Sequence, residues 1–126
     1  MERNISELLG KTLKSVVKND ANDEIIFTVE DGTQYKMYHS QDCCESVNIE
    51  DVIGDLNDLI GSPITMAEES TNNDVLNGKP EYPDSWTWTF YKLATVKGYV
   101  TIRWLGESNG YYSESVDFCK VGESRW

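Results

Sequence analysis

The chain has 126 residues, 39% hydrophobic and 26% charged, with 22 acidic against 11 basic side chains and a formal net charge of −11. That length suits one domain spanning 1–126, able to bury roughly two thirds of its unfolded surface without a disulfide or metal, and the apolar share with four tryptophans excludes a disordered chain. The charge is uneven: residues 20–70 hold 13 acids and a single base, Lys36, whereas the rest hold 9 acids and 10 bases.

Like charges repel over a Debye length of about 8 Å. The acidic half therefore argues against direct contact with nucleic acid or an anionic membrane, and for a basic protein surface or a cation as partner. No stretch reaches the roughly 18 apolar residues of a membrane span, and Met1-Glu2-Arg3-Asn4 lacks a secretion signal. Adjacent Cys43 and Cys44 with distant Cys119 form no C-x-x-C pair, so reduced thiols and a cytoplasmic location are expected.

In chain order, Ile5 to Leu9 followed by Gly10 reads as one or two helical turns with a glycine stop. Period-two patterning then marks strands over Thr12–Lys18, Glu24–Val29 and Thr33–His39, joined by Asn19-Asp20-Ala21-Asn22 and by Asp31-Gly32, the latter a two-residue hairpin turn. Residues 51–60 switch to helical spacing, with Val52, Leu56 and Leu59 on one stripe, and Gly61 and Pro63 end the segment. Ile64–Ser70 suits a short strand, and 72–84, rich in Asn, Pro and Gly, a mobile surface loop. Trp86–Leu93, Gly98–Leu105 and Tyr111–Phe118 read as three further antiparallel strands. The expected fold is α+β: an antiparallel sheet of six to seven strands with two short helices.

Three features could carry chemistry. On the predicted helix, Asp51, Asp55 and Asp58 share the face opposite the apolar stripe, spaced about 4.5–6 Å along the axis, on the scale of DNA phosphates. Like charges at this spacing weaken a helix by a few tenths of a kcal/mol, so a row of them points to a partner. Glu45, Glu50, Glu68 and Glu69 flank the row, although a plain solvated face explains it too.

The segment His39-Ser40-Gln41-Asp42-Cys43-Cys44-Glu45 gathers the single histidine with two thiols and two carboxylates. Adjacent cysteines fit two corners of a zinc tetrahedron poorly, and no nucleophile signature surrounds either thiol, so a packed loop is the reading and neither metal, cofactor nor catalytic residue is expected. The third feature is Trp86, Trp88, Phe90, Tyr91, Arg103, Trp104, Asn109, Tyr111 and Tyr112, in which alternation sets Arg103 opposite its neighbour Trp104 and most of which core packing explains. Tyr91, Arg103, Asn109, Tyr111 and Tyr112 could instead stack and anchor a nucleotide-like molecule. Phosphate-loop, dinucleotide, zinc-protease and nucleophile-elbow motifs are absent.

The runs Tyr38–Val47, Gly54–Ile64 and Lys97–Trp104 resemble a family of small uncharacterised proteins of bacteriophages and prophages, over about Leu9 to Phe118. The resemblance implies a phage or prophage setting and carries over no site residue. The expected function is accordingly non-enzymatic: inhibition of a host defence or nucleic-acid-handling protein by an acidic, nucleic-acid-mimicking face made of Glu45, Glu50, Asp51, Asp55, Asp58, Glu68 and Glu69. The alternative is an oligomeric module that sequesters a nucleotide-like signalling molecule.

Overall fold

A computed structural model describes residues 4–39, 45–72, 85–108 and 114–121. Among these lie eight strands: β1 (Leu13–Lys18), β2 (Glu24–Val29), β3 (Gln34–Tyr38), β4 (Ser46–Ile53), β5 (Met66–Asn72), β6 (Ser85–Thr95), β7 (Gly98–Ser108) and β8 (Asp117–Lys120). They form two four-stranded sheets, ordered β1-β2-β3-β8 and β4-β7-β6-β5, with every ladder antiparallel. The expected α+β class needs correction. There are two sheets where one was expected, and the two helices reduce to single 3-10 turns, Ile5–Leu8 and Leu56–Leu59.

Period-two alternation gives each sheet one apolar face, and the two faces bury one another. β2 and β3 turn Ile25, Phe27, Tyr35 and Met37 to one side, and β7 turns Val100, Ile102 and Trp104; all are buried in a single shared core. Trp104 is fully buried, and its Nε1–H points at Met37 Sδ, 3.2 Å away across the two sheets. Phe118 of β8 stacks on Tyr35 with ring centroids 5.3 Å apart and meets Phe27 edge-on. Leu13, Leu59 and Ile64 close the core where isolated bridges link the start of β1 to residues 60–64.

The turns depart from expectation in two places. Val29 N–H donates to the Thr33 carbonyl and Gly32 N–H to that of Val29, so the β2–β3 connection has three residues, Glu30-Asp31-Gly32, and not two. Gly32, at φ +95°, takes the left-handed position of such loops. Of the predicted strand Tyr111–Phe118, residues 111–113 lie outside the described residues, 114–116 belong to no strand, and pairing runs from Asp117 to Lys120. Of the expected loop 72–84, Asn72 instead ends β5, and residues 73–84 lie outside the described residues.

Residues 51–60 give the largest correction. β4 runs on through Ile53, with a bulge between Ile49 and Asp51 that places one extra residue opposite β7. Gly54 then turns the chain at φ +108°, and Asp55 caps the 3-10 turn by accepting from Asn57 N–H at 2.9 Å. Val52, Leu56 and Leu59 all reach the core, but from a strand end and a single turn. No described helix is long and apolar enough to cross a membrane.

A Cβ on Gly54 would lie 2.5 Å from the Tyr99 carbonyl oxygen, in a backbone region that other residues rarely enter, whereas one on Gly32 would meet open space. Gly54→Ala is therefore expected to cost about 2–3 kcal/mol and Gly32→Ala about 1 kcal/mol. Urea denaturation of the two variants checks this order.

Candidate functional site

Register decides which side chains meet on the side of the second sheet turned away from the core. β6 pairs Trp86 with Glu107, Trp88 with Leu105, Phe90 with Arg103 and Lys92 with Thr101 of β7, while Tyr91 and Trp104 face inward. The Arg103 guanidinium lies over the Trp88 ring, 5.0 Å from its centroid, with its nearest nitrogen 3.7 Å from Glu50 Oε1. Arg103 Nε is buried and has no hydrogen-bond partner among the described residues.

Carboxylates flank this centre. Glu50 and Asp51 stand on β4 at one edge of the sheet, with Asp51 opposite Arg103. Glu68 stands on β5 at the other edge, opposite Lys92. Three strand spacings of about 4.8 Å put the edges roughly 14 Å apart. The face has an aromatic and arginine centre with acidic margins.

The expected acidic row does not assemble as a helix face, because the helix is not there. Asp51 accepts from Val52 N–H at 2.8 Å, Asp55 caps the 3-10 turn, and Asp58 packs against Gly98, leaving it half-buried. Glu69 faces the opposite way from Glu68 and pairs with Tyr91. Glu45 is not a surface acid at all: at 4% exposure it is buried with His39.

The expected ligand set is divided as well. Tyr91 is 1% exposed on the core side, so it cannot act beside Arg103. Asn109, Tyr111 and Tyr112 lie outside the described residues, as do Cys43 and Cys44. His39 has both ring nitrogens engaged, Nδ1 with the Ser115 carbonyl and Nε2 with Glu45 Oε2, each at 2.7 Å. In that position it offers no nitrogen to a metal or to a thiol proton. The contact to Ser115 spans 76 positions, a separation at which no sequence pattern could announce it.

A family model described as a domain of unknown function (DUF7448) matches residues 6–118, and the chain belongs to that family. No curated protein and no solved structure matches it.

Partial burial pushes the Glu69 carboxyl above its ordinary value of 4.5, against the lowering effect of a hydrogen bond from Tyr91. The folded chain thus keeps this proton to higher pH than the unfolded one, and stability falls as pH rises above about 4.5 through the folded value. Glu69→Gln removes that loss. Its urea midpoint relative to wild type is expected to be higher at pH 7 than at pH 4.

Proposed function

We propose, starting from membership of a family with no assigned activity, that this protein is a non-enzymatic binding protein that inhibits its partner by covering a basic, nucleic-acid-handling surface. The observation that carries this reading is the outer face of the second sheet, where Trp86, Phe90, Leu105 and Arg103 lie between Glu50 and Asp51 on one margin and Glu68 on the other. Tryptophan and arginine at the centre of a patch with charges at its rim is the composition of an interface whose centre dominates the energy. The rim carboxylates complement lysines and arginines and speed encounter. A phage or prophage origin, taken from the resemblance of Tyr38–Val47 and its companion runs, would make the partner a host defence protein in the bacterial cytoplasm. The engaged nitrogens of His39 support a role without catalysis.

A second reading rests on Arg103 itself. Its buried, unpartnered Nε and its position over Trp88 suit an anchor for the phosphate or carboxylate of a flat, nucleotide-like molecule.

A pull-down with tagged protein, analysing captured proteins and released small molecules together, separates the two. One basic partner eluting near 0.5 M salt is expected, where the Debye length falls to a few Å. The triple variant Glu50→Gln, Asp51→Asn, Glu68→Gln is expected to weaken that capture at least about tenfold, each lost rim contact being worth some tenths of a kcal/mol or more. Undiminished binding by the triple variant sinks the first reading. For the second, a nucleotide at 100 times its Kd should add about 2.7 kcal/mol of stability, an effect that Arg103→Ala should erase.

A further inference from the structure

His39 follows β3 of the first sheet, Glu45 precedes β4 of the second, and Ser115 leads into β8. The His39 and Glu45 side chains are 4% and 0% exposed. The Ser115 carbonyl oxygen can only accept, so Nδ1 of His39 must donate across their 2.7 Å contact. A neutral ring with its hydrogen on Nδ1 presents a bare lone pair at Nε2, which a carboxylate at 2.7 Å would repel. The contact with Glu45 therefore requires a second hydrogen, carried by Nε2 or by the carboxyl.

We propose that His39 and Glu45 form a proton-dependent latch closing the end of the sandwich where the chain passes from one sheet to the other. The groups around it are mostly acidic. Asp23, Glu24, Lys36 and Tyr38 line the cleft of about 300 Å³ beside His39. Asp117 pairs with Tyr38 across the strands. Glu114, next to Ser115, accepts from the hydroxyls of Thr87 and Ser108 on the second sheet. Lys36 is the one cation in this set, and it lies 3.5 Å from Glu24.

The sign of the effect follows from the hydrogen count. Above the ordinary imidazole value of about 6.5 the unfolded chain carries neutral histidine and ionised glutamate, one hydrogen fewer than the folded pair. The state that holds more protons loses stability as pH rises. The stability that the latch contributes is thus expected to decline as the pH rises from 6 to 9.

The test compares melting temperatures of the full chain and of Glu45→Gln between pH 6 and pH 9. The amide can donate to Nε2 without titrating, so wild type is expected to fall by at least about 4 °C more than the variant over this span. Parallel pH profiles overturn the latch. A nitrogen-15 spectrum of the folded wild type decides independently should the variant not fold, and the single histidine makes the assignment unambiguous. A hydrogen on Nδ1 is expected; a ring protonated on Nε2 alone overturns the proposal.

Discussion

Trp104 holds the two sheets to one another. Its indole fills the middle of the shared core and points its N–H at Met37 on the opposing sheet. Removing a side chain of this size from a core costs about 3–5 kcal/mol, a large part of a domain's margin. Because neighbours on a strand face opposite ways, the placement of Trp104 also dictates that Arg103 leaves the core on the other side. Core and candidate binding face are thus set by adjacent residues of β7, and slipping the register by one would exchange them.

The same strand governs the second sheet's margins. β7 lies between β4 and β6, so the β4 bulge opposite it turns both Glu50 and Asp51 outward beside Arg103. The bulge precedes Gly54, whose close approach to the Tyr99 backbone allows the chain to leave the sheet and drop Leu56 and Leu59 into the core. A helix over these residues would have lined up three aspartates. The strand, bulge and cap that form instead give Asp51 and Asp55 local backbone work and half-bury Asp58. Glu50, Asp51 and Glu68 are spread along the margins of the second sheet and not concentrated in a row. A partner would meet them as a rim.

At the opposite end from Gly54, polarity enters the core. Glu45 and His39 are buried together, and Glu114 bridges the hydroxyls of Thr87 and Ser108. Buried polar groups cost stability unless paired. Two of the contacts are long-range, Thr87 to Glu114 over 27 positions and His39 to Ser115 over 76, which makes that end of the sandwich dependent on the whole fold being assembled.

The strands were legible where alternation is local: β1, β2, β3, β6 and β7 follow from period-two runs of β-branched and aromatic residues bounded by Asn, Asp and Gly. Gly10 as a stop and Gly32 as a turn residue were equally readable, since both take positive φ. Helix and strand could not be told apart over 51–60. Val52, Leu56 and Leu59 satisfy helical spacing, and only the alternation of Val47 and Ile49 upstream, with Gly54 inside the run, hinted at a strand that stops. The sequence by itself determined the acidity through its composition, and through its alternation the mainly β character and the opposition of Arg103 to its neighbour Trp104. Tertiary structure alone decided that the strands divide into two sheets, that Tyr91 and Glu45 are buried, and that His39 reaches Ser115. Those outcomes depend on contacts between residues distant in the chain, and local patterning carries no record of them.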